Sequence, residues 1–232
     1  MPVTLMDVAA KSVTVLQPLP PQQQQPQTGG HRTTKANDSW RYLVDFGREI
    51  QGHVNFSFAG GAVGHNVTVR LGEVLRGDGD GVMWHSQSEN IWSSTWTLPG
   101  RAATFVPHEY AEFRYAEVIG APEAPDLARL NGWIVRYPLG EELPGRNSDV
   151  GVTGFVDEHN SLTTFTSSSS NLNAVWGLSR YTVIAGAIDL NTDSNTRQRD
   201  LCTLDAWLAT EYQGGVAPAS SCHLRRRVTQ IM

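Results

Sequence analysis

At 232 residues, with a formal net charge of −5 and an apolar fraction of 40%, the chain has the make-up of one large or two small globular domains. The acidic balance excludes a protein whose main task is to neutralise phosphate, since that needs a basic face, and the one basic run, Arg225-Arg226-Arg227, lies close to the end. Two cysteines, Cys202 and Cys222, are too few for a disulfide-stapled scaffold and lack metal-type spacing, so they read as free thiols in a reducing compartment.

In chain order, the first segment, "MPVTLMDVAAKSVTVLQ", has no basic stretch followed by the apolar core of an export signal. No later stretch approaches eighteen consecutive apolar residues, so the expectation is a cytoplasmic protein with no membrane partner. Sequons at Asn37, Asn55 and Asn66 carry little weight without an export signal. Residues 1–39 read as a Pro/Gln-rich, low-complexity N-terminal segment. Within it, 18–39 ("PLPPQQQQPQTGGHRTTKANDS") cannot bury enough apolar area to offset its ordering entropy and reads as a disordered linker. Order is expected to begin near Trp40.

From Trp40 the hydrophobic period is two. Trp40, Tyr42, Val44 and Phe46 alternate with Arg41, Leu43 and Asp45; Val54, Phe56 and Phe58 follow, then Val67, Val69 and Leu71. Further strands are predicted over 92–98, 103–106, 113–119 and 133–137, separated by turn sequences such as "AGGAVG", "GDGDG" and "LPG". About seven short strands with no helix between them predict an antiparallel β-sandwich over 40–140.

The alternation stops around "PLGEELPGRNSDVG", and 141–170 reads as a linker. After "TSSSS" the period becomes helical. Asn171 is a predicted cap; Leu172, Val175, Trp176, Val183 and Ala187 form one stripe, and Leu178, Tyr181, Ile184 and Ile188 a second. A helix apolar on two faces is expected to be buried between neighbours. A second helix is predicted over about 203–212, with Leu204, Trp207, Leu208 and Tyr212 on one side. Two helices cannot cover two stripes, and 219–232 has no regular period, so the chain is expected to be an incomplete version of a longer protein, a fragment or a frameshifted frame. The charged stretch 189–207, "DLNTDSNTRQRDLCTLDAW", joins the two helices.

"YLVDFGREIQGHVNFSF", followed in order by "VTVRLGEVL", "STWTLPG" and "EFRYAEVIG", resembles the concanavalin-like β-sandwich of bacterial-type α-L-rhamnosidases. "SNLNAVWGLSRYTVIAGAIDLNTDSNTRQRDLCTLDAWLA" then resembles the opening of that family's six-hairpin (α/α) barrel, over about 171–218. The resemblance therefore implies a mixed, multidomain chain: an antiparallel β-sandwich followed by the first helices of a truncated (α/α)6 barrel. It also implies hydrolysis of terminal α-L-rhamnosides with inversion, no cofactor, no metal, and a carbohydrate rather than a nucleic acid as partner. Inversion needs one carboxylic acid to protonate the leaving oxygen and a second carboxylate, about 6.5–9.5 Å away, to activate water.

By the same resemblance, Asp193 and Asp205 match sugar-contacting carboxylates, and Arg197 and Arg199 match the two arginines that flank the family's acid. The acid position itself falls on Gln198, a departure that matters because an amide cannot donate a proton at neutral pH. Asp200, two residues on, is the candidate replacement acid, and Gln198 is retained as a substrate contact. The family's base lies downstream of the sequence given, so this chain by itself is expected to be inactive. A non-catalytic carbohydrate-binding or scaffold derivative is the alternative. Without the resemblance, these same residues would read as a solvated charged connector of weak ion pairs.

Elsewhere the simpler reading prevails. "RGDGDGV" lacks the third acidic ligand and closing Glu of a calcium loop and reads as a Gly-rich hairpin turn. The seven histidines have no metal-type pairing. Trp92, Trp96 and Trp133 sit on alternating strands and read as core-formers before sugar platforms.

Overall fold

The computed structural model describes residues 4–17, 40–85, 90–136, 165–187 and 192–194, together with Leu204 and Leu208. The described residues form strands β1 (Thr4–Ala9), β2 (Ser12–Val15), β3 (Trp40–Phe58), β4 (Asn66–Gly72), β5 (Ser93–Thr97), β6 (Ala103–Phe105), β7 (Ala111–Ala121) and β8 (Leu130–Arg136), then helix α1 (Ser170–Ala185). The chain divides into two compact units, residues 7–133, and residues 1–6 with 134–232.

The strands build one eight-stranded, sandwich-like sheet in the order β1-β8-β3-β7-β4-β5, with β2 and β6 also pairing β3. The pairs β2–β3, β3–β6, β3–β7, β4–β5 and β4–β7 are antiparallel. The central element is β3, nineteen residues long, which replaces the two separate strands predicted at 40–46 and 54–58. Its first part pairs β2 and β7, and its last part pairs β6 through Phe56 opposite Phe105. The intervening "GRE" is a bulge rather than a break. The register against β7 shifts between Asp45 and Ile50, and Gly47 has φ 76°, where its N–H donates to Asp45 Oδ1 at 2.7 Å. A Cβ at residue 47 would also lie 2.7 Å from Lys11 Cδ, so glycine answers both the torsion and the space.

Apolar alternation makes the core as expected. Tyr42, Ile50, Phe56 and Phe113 are fully buried, each worth about 1.5–3 kcal/mol for an average apolar side chain of this class. Trp96, read as a core-former, is half-buried and stacks on the half-buried Phe105 with ring centroids 5.1 Å apart. The solvent face expected of this sheet is absent around Arg41 and Leu43, which are 3% and 9% exposed. Both sides of β3 are covered there because Arg41 is paired internally, as described below.

Order also begins earlier than Trp40. β1 and β2 lie within the first 39 residues, and β2 pairs Ser12 to Val15 with Asp45 to Tyr42. β2 is largely exposed, so its short Val-Thr-Val pattern gives little apolar signal, and it is the ladder to β3 that makes it a strand. The Pro/Gln tract at 18–39, most of the linker 141–170 and the tail 219–232 lie outside the described residues.

In the second unit, α1 starts two residues earlier than expected. Asn171 is inside the helix, and Ser169 occupies the capping position, its Oγ accepting from Leu172 N–H at 3.4 Å. Asn173 reaches back to order the entry: its Oδ1 accepts from Ser167 N–H at 2.9 Å, and its Nδ2 donates to the Ser167 carbonyl at 3.0 Å. Ser169→Ala is expected to cost about 1 kcal/mol of α1 stability; a guanidinium titration of the 222 nm ellipticity that coincides with wild type would contradict this. The expected burial of α1 on two faces is not met. Leu172, Val175 and Leu178 are 54%, 59% and 61% exposed, one apolar row that no described residue covers. Phe165 meets Trp176 with ring centroids 5.4 Å apart, and Arg180 is 6% exposed.

Candidate functional site

The sequence-derived site begins where α1 ends. Past Ala185 the chain is closed by Thr192, whose N–H and Oγ1 both bond the Gly186 carbonyl, at 3.1 and 3.2 Å. This clasp fixes the next residue, Asp193, which is half-buried. Arg197, Gln198, Arg199, Asp200 and Asp205 lie outside the described residues. Leu204 and Leu208 are helical and exposed, one turn apart, within the predicted second helix. Among the described residues Asp193 thus stands next to this clasp, beyond α1.

Three further features in the strand unit were not read from the sequence. The first is a buried ion-pair network. Arg41 on β3 donates from Nε and Nη2 to Glu117 Oε1 on β7, at 2.9 and 2.8 Å. Its Nη1 reaches Asp80 Oδ1 at 2.8 Å and the Gln17 carbonyl at 2.7 Å, while Nη2 reaches the Asp80 carbonyl at 2.8 Å. Glu117 is fully buried, and its Oε2 accepts from Val82 N–H at 3.2 Å. The "RGDGDG" hairpin, closed by Arg76 N–H to the Gly81 carbonyl, is therefore clamped onto the sheet. Gly81 has φ 126°, and a Cβ there would lie 2.8 Å from Glu117 Oε2 and 3.0 Å from Arg41 Nη2. The turn reading of this motif holds, and its second aspartate serves structure. The signal missed was an arginine and a glutamate each set within otherwise apolar alternation, at positions that pairing brings together.

The second feature is a set of charges at the β3 bulge. Arg114 donates from Nε and Nη2 to the two oxygens of Asp45, at 2.9 and 3.0 Å. Burial by itself would raise the Asp45 carboxyl; hydrogen bonds from Arg114 and from Gly47 N–H, with the charges of Arg114 and Lys11, outweigh it and hold the group below the usual range. Glu49, on the same bulge, behaves oppositely: burial first and the charge of Glu73 second push its carboxyl up to about 8, against the pull of Arg114. Two carboxylates on one bulge are thus shifted in opposite directions.

The third feature is a hollow of about 300 Å³ floored by Val69 and Leu71 of β4 and walled by residues 91–94 and 107–109. Trp92 is part of that wall, so one of the three tryptophans read as core-formers lines an open cavity. Among the described residues no group of three His, Cys, Asp or Glu is placed to hold a metal, and no helix is long and apolar enough to cross a membrane.

Residues 35–136 match the model of the bacterial alpha-L-rhamnosidase concanavalin-like domain. No curated protein matches the chain. Among solved structures, the chain is similar to the alpha-L-rhamnosidase from Dictyoglumus thermophilum, with a TM-score of 0.56, 15% identity, and coverage of 86% of this chain and 18% of that one. The Streptomyces avermitilis alpha-L-rhamnosidase complexed with L-rhamnose gives a TM-score of 0.57, 21% identity, and coverage of 84% and 15%. The rhamnosidase from Klebsiella oxytoca with rhamnose bound gives 0.57, 14%, and coverage of 93% and 42%. The chain therefore spans less than a fifth of the first two, and at these identities the likeness is one of fold.

Proposed function

From a chain whose residues 35–136 match the bacterial alpha-L-rhamnosidase concanavalin-like domain, we propose a glycoside hydrolase function: inverting cleavage of terminal α-L-rhamnosides, to which this chain contributes the β-sandwich and the first loop of the sugar cleft. The observation that carries the reading is Asp193, held by the Thr192–Gly186 clasp directly beyond the helix that follows a strand unit of this type. In this reading Asp193 and Asp205 accept hydrogen bonds from sugar hydroxyls, and Arg197, Gln198 and Arg199 line the same loop. Asp200 protonates the leaving glycosidic oxygen as its bond to the anomeric carbon breaks, while a carboxylate outside this sequence activates the incoming water. The start of an (α/α)6 barrel over 171–218 belongs to the same proposal.

The test is hydrolysis of p-nitrophenyl α-L-rhamnoside by the protein expressed with whatever sequence follows Met232 in its frame. Asp200→Asn is expected to lower kcat by at least about 100-fold, the ordinary worth of a general acid. Equal rates for the variant and wild type would remove Asp200 from that role. The second reading, a carbohydrate-binding derivative without turnover, is favoured by one observation, the amide of Gln198 at the acid position. Calorimetry in which L-rhamnose binds without any hydrolysis would select it.

A further inference from the structure

We infer that the strand unit carries a second carbohydrate site, separate from the loop that follows α1: the hollow beside β4 and β5 accepts one neutral sugar ring. The floor is made by Val69 and Leu71, and Trp92 stands in the wall with Ser93 and Ser94. The opposite wall is 107–109, the segment between β6 and β7, which supplies His108 and Glu109. At about 300 Å³ the hollow is at the small end of the range for ligand pockets, which suits a monosaccharide and excludes a long glycan lying fully inside.

The lining specifies the ligand class. A pyranose has apolar C–H faces and a rim of hydroxyls. Here aliphatic side chains and an indole offer the apolar surface, while the hydroxyl of Ser94, which shares the face of Val69, an imidazole and a carboxylate offer hydrogen bonds to the rim. No Lys or Arg lines the hollow, so a phosphate or carboxylate ligand would enter with no cation to meet it, against the charge of Glu109.

Both walls are held before any ligand arrives. Trp92 is fixed on two sides, its N–H donating to the Trp84 carbonyl at 3.1 Å and its carbonyl accepting from Leu71 N–H at 2.9 Å. Ser94 and Ser93 lie opposite Val69 and Arg70 in the β4–β5 ladder. The other wall, 107–109, leads directly into β7, whose Ala111 pairs with Gly52 of β3. A preformed site of this kind loses little entropy on closing around a small ligand.

The experiment is a tryptophan fluorescence titration of the full chain with L-rhamnose, D-galactose and D-glucose in turn, each to 100 mM or so, the scale on which single-ring ligands bind shallow sites. At least one sugar is expected to give a saturable change. His108→Ala and Glu109→Ala, both at exposed positions, should each weaken it about 10-fold, and Ser94→Phe, which fills the hollow, should abolish it. Asp193→Asn should leave it unchanged. No saturable response to any of the three sugars overturns the inference. So does a response indifferent to His108→Ala and Glu109→Ala, or one lost in Asp193→Asn alone, which would assign binding to the loop after α1. The inference stands or falls separately from Asp200, because it requires no turnover.

Discussion

Arg41→Met is expected to cost about 3–5 kcal/mol of folding stability in the strand unit, the range for breaking a buried ion pair from one side. The loss comes chiefly from what remains. Glu117 is fully buried, and without Arg41 its carboxylate keeps a single neutral donor, Val82 N–H, while the Asp80 and Gln17 carbonyls lose their partner as well. The Asp80 side chain is about half exposed and rehydrates, so its share is small. A shape-conserving double variant, Arg41→Met with Glu117→Leu, should recover most of the loss, because it removes the stranded charge together with its partner. Urea unfolding followed by tryptophan fluorescence gives both numbers. A single variant within 1 kcal/mol of wild type would mean that the network is solvated, and a double variant no better than the single would mean that the clamp on the 76–82 hairpin matters more than the charge.

The second large effect is a pH dependence that Glu49→Gln should abolish. With its carboxyl raised to about 8 against an unfolded value near 4.5, the folded state holds an extra proton across that window. Stability contributed by the neutral carboxyl is therefore complete below about pH 4.5, declines as pH rises, and is lost above about 8. The shift corresponds to at most about 5 kcal/mol at 1.36 kcal/mol per unit; solvent reaching a part-exposed side chain reduces the expected effect to about 1–3 kcal/mol. Glu49→Gln, an uncharged mimic of the protonated form, should match wild type at pH 4.5 and exceed it by that amount at pH 8.5. Glu73→Gln should recover a smaller part, since its charge ranks second to burial among the causes. Parallel stability curves for wild type and Glu49→Gln across this range would refute the assignment.

Several features of this molecule were legible in the residues themselves. The strands at 66–72, 93–97 and 103–105 fall almost where alternation predicted them, because each needs only local pattern and a bounding turn. β7 and β8 extend beyond their predicted limits, at Ala111–Ala121 and Leu130–Arg136, since ladder partners recruit flanking residues whose own pattern is weak. Joining 40–46 to 54–58 was not legible, because a bulge interrupts the period of two without ending the hydrogen-bonded ladder. The burial of Arg41, which alternates with the apolar row, was not legible for a related reason: nothing local distinguishes an exposed charge from one whose partner is 76 residues away.

The loop after α1 presents the opposite case. Its candidate residues came from the family resemblance, without which the loop reads as a solvated connector, and of these the described structure reaches Asp193 only. Its closure by Thr192 onto Gly186 was invisible to sequence reading, which treats Thr192 as one more small polar residue.

By itself the amino-acid sequence determined the strand-rich class, the switch from a period of two to a helical period near residue 170, and the family likeness of the β-region. Each is written in local alternation or in a short ordered set of motifs. Tertiary structure alone decided that Arg41, Glu117 and Asp80 form one buried cluster, that Glu49 and Asp45 titrate in opposite directions, and that residues 91–94 and 107–109 enclose a hollow. Those outcomes depend on electrostatics and packing between segments far apart in the chain, whose energies are set by distance and burial rather than by neighbours in sequence.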